Sequence, residues 1–248
     1  MSIVIDNVEQ FNVFFNVVYD ISSELVELQL HPDRLVCAVL DRTKTRFFQV
    51  QYDVDFFENY DVTEPTSLVV FLDDLYKLLK SSNKTDTLIL DANDPYLIAK
   101  LQSKNGGSRV FEFVLPSDVV DSPAMPSIDF PIDVEVDVEG LKQGAKDIGL
   151  IGTDKYTFVV SKDKMTVMSD PDLATKYVNE MPIDAPNVDR AVKSSFSLNY
   201  IKQMLKFDKI TKKVRIKLND DMPIFYTYQD EIMGVRVDGM IAPLISEE

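Results

Sequence analysis

The sequence predicts an α+β chain made of two similar domains, and three observations predict it. A stretch with helical spacing and regularly placed lysines occurs twice: Leu72, Leu75, Leu78 and Lys80 return as Leu198, Ile201, Met204 and Lys206, at a constant offset of 126 residues. An earlier segment, 28–35, returns at 158–165 with an offset of 130. Each lysine-bearing copy is followed by a β-rich segment, 87–90 or 214–217, and then by an acidic turn with proline, Asp94-Pro95 or Asp220 to Pro223. Echoes in the same order indicate a duplicated unit. At 248 residues, each half is long enough to bury its own core.

The elements follow in chain order. A first helix over 8–20 places Phe11, Phe14, Phe15 and Val18 on one side at helical spacing. Strands over 25–30 and 34–39 come next, joined by a turn at His31, Pro32 and Asp33. A strand over 45–52 precedes the helix at 72–81. Further strands cover 87–90, 96–101 and 109–115, the last two joined by a turn from Lys104 to Gly107. The second half repeats the plan with a helix over 138–150, strands over 156–160 and 164–168, a helix over 198–207, and strands to the end.

Between the halves the rhythm breaks. Pro116, Pro123, Pro126 and Pro131 stand among aspartates with no helical period, which is the pattern of an extended linker stiffened by fixed φ angles. Its apolar members, Val119, Val120, Ala124, Met125 and Ile128, suit a segment that lies on protein or receives a partner. The division expected is therefore a first domain over 1–116, a connector over 117–131 and a second domain over 132–248.

Composition narrows the classes. Hydrophobic residues make up 45% of the chain, a globular proportion. No run of about 18 uncharged apolar residues suggests a membrane helix, and the N-terminus shows no secretory pattern. Cys37 is the only cysteine and sits in an apolar run, as expected of a buried strand thiol in a reducing compartment. A cytoplasmic location is expected, or a nuclear one in a nucleated cell.

Enzyme chemistry finds little footing. The one histidine, His31, belongs to a turn. No Cys/His cluster has metal-ligand spacing, and no phosphate-cradling loop or nucleophile elbow is present. The acidic pairs Asp73-Asp74 and Asp220-Asp221 leave open a carboxylate-dependent metal hydrolase. They fit a helix N-terminus and a turn more simply. No cofactor is expected.

The lysines carry more information. Lys77, Lys80 and Lys84 fall within about 60° of arc if helical, as do Lys202, Lys206 and Lys209, while Lys142 and Lys146 form an i, i+4 pair. The apolar positions of the same helices (Leu72, Leu75, Leu79; Leu141, Ala145, Ile148; Ile201, Met204, Leu205) point elsewhere. A net charge of −15 argues against a nucleic-acid partner when taken as a sum. Screening over about 10 Å at 0.1 M salt makes the distribution matter more than the total. An ordinary solvated face remains open for any one helix; three equivalent helices in so acidic a chain favour a cationic binding face.

The duplicated plan, the proline-rich connector and the phrase running from Met240 through Ile241, Ala242, Pro243 and Leu244 to Ile245 resemble the sliding clamps of the proliferating cell nuclear antigen (PCNA) family. Leu40-Asp41-Arg42, Asp221-Met222-Pro223 and the acidic tail Glu247-Glu248 extend the resemblance over the whole chain. It implies two DNA-clamp domains per chain, helices lining an inner face and antiparallel sheets outside, closed as a ring of three subunits around duplex DNA. It implies a processivity factor without catalysis that tethers a replicative DNA polymerase. Lys77, Lys80 and Lys146 would face DNA by resemblance; Lys84, Lys142, Lys202, Lys206 and Lys209 join them by helical geometry. Such contacts would be electrostatic and independent of sequence.

By position, the strand at 109–115 of one subunit would pair with roughly 175–179 of the next. The resemblance also implies a pocket for short peptides of polymerase, clamp loader, flap endonuclease and DNA ligase, formed by Leu40, Lys44, Phe47, Ala124, Met125, Pro223, Met240, Ile241, Ala242 and Pro243. Leu40, Phe47 and Ile241 read equally well as core residues. Asn12 and Asn16 stand where many relatives carry lysines, and Met240 and Leu244 where an aromatic and a basic residue are common. A homotrimer is expected; a subunit of a heterotrimeric or checkpoint-type ring is the alternative.

Overall fold

A computed structural model describes residues 1–21, 25–118, 120, 122–126, 128–169, 175–185, 188 and 190–244. Val119 of the connector and Ile245, Glu247 and Glu248 of the tail lie outside the described residues. The chain divides into two compact units. The first comprises Met1–Arg42, Phe48–Ala124 and Gln229–Val237; the second comprises Thr43–Phe47, Met125–Tyr228 and Asp238–Glu248.

The first half runs β1 (Ser2–Ile5), α1 (Val8–Tyr19), β2 (Leu25–His31), β3 (Arg34–Leu40), β4 (Arg46–Asp53), a 3-10 turn at Val54–Phe56, β5 (Asn59–Tyr60), β6 (Thr66–Phe71), α2 (Leu72–Ser81), β7 (Thr87–Asn93), β8 (Tyr96–Gln102) and β9 (Ser108–Val114). In the first unit one sheet has the order β5-β1-β7-β8-β9, which leaves β9 at an open edge. The other runs β4-β3-β2-β6. The β2–β3 hairpin pairs His31 with Arg34 across a two-residue turn and sets Leu28 opposite Cys37. Alternation fixes this register: Val26, Leu28, Leu30, Leu35, Cys37 and Val39 all point into the core. The β8–β9 turn closes with Gly106 at φ 88°, a conformation only glycine adopts without cost.

Helix α1 starts at Asn7, whose side-chain oxygen accepts a hydrogen bond from Gln10 N at 3.2 Å. It buries Phe11, Phe14, Phe15 and Val18 completely, as their spacing predicts. Tyr52 donates from its hydroxyl to the Phe11 carbonyl at 2.8 Å, tying the helix to β4.

The second half runs β10 (Ile132–Asp137), α3 (Val138–Leu150), β11 (Lys155–Val160), β12 (Lys164–Ser169), β13 (Tyr177–Pro182), β14 (Val192–Ser197), α4 (Leu198–Met204), a 3-10 segment at Leu205–Lys209, β15 (Lys213–Leu218), β16 (Ile224–Asp230) and β17 (Val235–Ile241). The second unit has a sheet of order β13-β12-β11-β14, with β13 at an open edge. It has another of order β10-β15-β16-β17. Every strand pairing with a stated register is antiparallel, as an α+β fold of this kind requires.

Two expectations need correction. The helix expected over 198–207 is α-helical only to Met204 and continues as 3-10. Three of the four helices are also fed directly by a strand that periodicity alone did not yield. Strands β6, β10 and β14 end at the residue before α2, α3 and α4. In β14 the signal is masked because Ser194, Ser195 and Ser197 are buried serines; they bond to Met222 O, Thr157 Oγ1 and Asp154 Oδ2.

Candidate nucleic-acid interface

The apolar stripes of α2, α3 and α4 are buried. Leu72, Leu75, Leu79, Leu141, Ala145, Ile148, Ile201, Met204 and Leu205 are each at most 3% exposed. That burial turns the opposite face of each segment to solvent, and all eight candidate lysines, Lys77, Lys80, Lys84, Lys142, Lys146, Lys202, Lys206 and Lys209, are exposed there. Lys84 reaches this set by another route than the expected one. It lies in a turn beyond the end of α2, so helical spacing does not place it, and it pairs with Glu9 of α1 at 2.8 Å. Lys206 and Lys209 lie in the 3-10 segment, where three residues make one turn, so an i, i+3 pair stays on one face.

The two units differ in what surrounds these amines. In the first, Lys77 Nζ bonds to Asp73 Oδ2 one turn earlier, and Tyr19 of α1 donates its hydroxyl to Asp73 Oδ1 at 2.9 Å. The Tyr19 ring stacks on Tyr76, centroids 3.7 Å apart and planes within 4°. Lys80 Nζ sits 5.4 Å from the Tyr76 centroid, within cation–π range. Hydrogen bonds from Lys77 and Tyr19 hold the Asp73 carboxyl below the usual range, and the same contact raises Lys77. Asn12 donates to the Leu79 carbonyl at 3.4 Å and Asn16 is exposed, so α1 presents no amine from these two positions.

In the second unit, Lys142 Nζ lies 2.9 Å from Asp208 Oδ2, and Lys212 reaches the same oxygen at 3.0 Å. Burial pushes the Asp208 carboxyl upward, but the hydrogen bonds and charges of Lys142 and Lys212 outweigh it and the net shift is downward. Lys146 and Lys202 are exposed and carry no ion pair among the described residues. Arg46 stacks over Tyr200 at 4.2 Å and donates to Gln203 Oε1 at 2.7 Å, tying α4 to the start of β4. Sequence reasoning read Asp73 only as an acidic residue at a helix N-terminus and passed over Tyr19, Tyr76, Asp208 and Lys212. The i, i+4 spacing of Asp73 to Lys77 and of Asp208 to Lys212 was the signal that could have found the two ion pairs.

The expected peptide-pocket residues divide between core and surface. Phe47 and Ile241 are buried core residues at 1% and 0% exposure. Leu40, Lys44 and Ala124 are exposed, and Met125, Pro223, Met240, Ala242 and Pro243 are half-buried. Within the second unit, hydrogen bonds gather several of them. Ala242 N donates to Thr45 O at 2.8 Å, Leu244 N to Ser195 O at 2.7 Å, and Ser194 Oγ to Met222 O at 3.1 Å. Lys44 sits on this loop with φ 56°, a left-handed position. On the other side of the connector's midpoint, Ser122 donates to Glu27 Oε2 within the first unit.

No family model matches the sequence. A curated DNA polymerase sliding clamp from Methanothermobacter thermautotrophicus is 28% identical over 223 residues, spanning 90% of this chain and 89% of the relative. The crystal structure of PCNA from Thermococcus kodakaraensis superposes with a TM-score of 0.84 at 18% identity, covering 98% of this chain and 99% of that one. The chain has the PCNA-type sliding-clamp fold. A chain of a PCNA2–PCNA3 complex from Sulfolobus tokodaii gives a TM-score of 0.83 at 21% identity, again over 98% of this chain. The sequence is thus similar to a sliding clamp over 90% of its length, and the lysine-bearing helices described above belong to that fold.

Proposed function

We propose that this chain is a subunit of a DNA sliding clamp, a ring-shaped processivity factor that encircles duplex DNA and tethers a replicative polymerase. The observation that carries the reading is the segregation of charge. A chain of net charge −15 places seven exposed lysines on the solvent faces of its helical segments, and Lys84 in the turn after α2, across both copies of a duplicated unit. Lysines on repeated faces neutralise phosphates without reading bases, so the contact is weak, salt-dependent and free to move. Enclosure supplies the retention that these contacts lack, and no catalytic step is required of the protein.

In this reading, 1–116 and 132–248 are the two clamp domains and 117–131 the connector. Lys77, Lys80, Lys84, Lys142, Lys146, Lys202, Lys206 and Lys209 contact DNA. Ring closure joins open edges, β9 of one subunit to β13 of the next, which removes two unpaired strand edges at once. Exposed Val110, Val114 and Val178 on those strands support such burial. Leu40, Lys44, Ala124, Met125, Pro223, Met240, Ala242 and Pro243 receive apolar anchors from the peptides of polymerase, clamp loader, flap endonuclease and ligase. Phe47 and Ile241 support them from beneath.

The test is molar mass in solution by light scattering: a homotrimer gives about three times the 28.2 kDa of the chain. A second reading, a heteromeric ring, is favoured by the similarity to a chain from a complex of two different PCNAs. It predicts a monomer or dimer for the purified chain alone.

A further inference from the structure

Asp73 is the residue that the lysine faces do not explain. It is an anion set among the cations of α2, and it engages two neighbours on the same surface, Lys77 and the Tyr19 hydroxyl. The stacking of Tyr19 on Tyr76 fixes that hydroxyl, so two side chains from two helices converge on one carboxylate. The second copy of the unit provides an internal comparison. At the offset of 126, Asp73 becomes Asn199, Tyr76 becomes Lys202, and Lys77 becomes Gln203; at the offset of 130, Tyr19 becomes Gly149 and Asn12 and Asn16 become Lys142 and Lys146. A Cβ on Gly149 would lie 3.1 Å from Lys202 Nζ, so an amine occupies in the second unit the place across the helices where the first has stacked rings. The carboxylate and both tyrosines are therefore peculiar to the first unit.

Resting on the clamp reading above, we infer that Asp73 is a positioning residue that holds Lys77 away from phosphate and lowers the grip of the first unit on DNA. A lysine already paired with a carboxylate releases little counterion when a phosphate approaches. The exposed pair is weak enough to open, so Lys77 remains available but contributes less than an unpaired amine. The consequence is an uneven ring interior: the second unit, with Lys146 and Lys202 unencumbered among the described residues, carries most of the electrostatic contact. The first unit supplies a low-friction surface of tyrosine rings and a tethered amine.

The test compares Asp73→Asn, Asp73→Asn with Lys77→Ala, and Lys146→Ala with Lys202→Ala, each on the full-length chain. Affinity for a fluorescein-labelled duplex is measured by anisotropy across a salt series, with thermal denaturation as the folding control. Asparagine keeps the acceptor for Tyr19 and removes the charge. The expected result is several-fold tighter binding by Asp73→Asn at low salt, with log K against log[salt] steeper by about one unit for each phosphate newly engaged. Adding Lys77→Ala should abolish that gain. A folded Asp73→Asn protein that binds no more tightly than wild type, or a gain that survives loss of Lys77, overturns the inference. Should Asp73→Asn have no effect while Lys146→Ala with Lys202→Ala still weakens binding, the clamp reading stands without it. If neither change moves the affinity, the lysine faces are not the DNA contact and both fail.

Discussion

Arg109 holds Asp86. From the open edge strand β9 its Nη2 donates to Asp86 Oδ2 at 3.0 Å, while Nη1 donates to the Ser81 carbonyl at 2.9 Å. Asp86 is 1% exposed and also accepts from the backbone and side chain of Asn83. One guanidinium thus satisfies a carbonyl at the C-terminal turn of α2 and neutralises a buried carboxylate at the start of β7. Edge strand and lysine-bearing helix are fastened together within the first unit by a single side chain.

Removing that fastening should be costly. Arg109→Ala leaves Asp86 buried with only Asn83 as a partner, and a loss of about 2 kcal/mol is expected, below the range for fully buried pairs because the arginine is half exposed. Arg109→Lys keeps the charge but not the forked geometry and should lose about half as much. Urea unfolding midpoints at constant slope check both.

Exposed lysines should separate binding from folding. Lys146→Ala with Lys202→Ala is expected to change stability by no more than about 0.5 kcal/mol. Duplex affinity should fall several-fold at low salt, with a shallower salt dependence. Lys142→Ala should behave alike in stability, since Lys212 remains on Asp208. Anisotropy and denaturant titration on the same preparations give the two readouts.

Packing in the second unit offers a sharper target. A Cβ at Gly239 would lie 2.0 Å from Tyr226 Cζ, inside a buried ring that has no room to retreat. Gly239→Ala should therefore destabilise by about 3 kcal/mol or more, at the upper end for overpacking. Loss of near-UV tyrosine signal at temperatures where wild type is folded would report it.

Alkaline stability should track Cys37. Burial raises its thiol from the ordinary 9.0 to about 12, so above pH 9 the unfolded chain loses a proton that the folded one keeps. The contribution is full below about pH 9 and declines as pH rises toward 12, at up to about 1.4 kcal/mol per pH unit. Tyr60, raised to about 12 by burial, adds to the decline above about pH 10. Cys37→Ala should lose a constant increment to its cavity and flatten the slope between roughly pH 9 and 10. Unfolding midpoints at three alkaline pH values compare the slopes.

Periodicity exposed most of the fold where side chains alternate or recur cleanly. The bounds of α2 and α3 follow from leucine and isoleucine spacing, and the β2–β3 hairpin from its alternation about Pro32 and Asp33. Strand β10 alternates just as cleanly from Ile132 to Asp137, but its closeness to the proline-rich connector concealed it. Strand β14 was hidden for a chemical reason: its buried serines read as polar until their partners are known. The candidate face was readable as lysines on helices. Its long-range partners were not, because Glu9 and Lys84 meet only through the packing of α1 near α2, and the Tyr19–Tyr76 stack spans 57 residues of chain.

The most direct measurement is topological. The protein, deposited by a clamp loader on nicked circular DNA, is passed through a sizing column in high salt before and after the circle is linearised. The account predicts co-elution with the circle and release once an end is available, because enclosure and not affinity retains the ring. Equal retention on both forms, or loss from both, would contradict it.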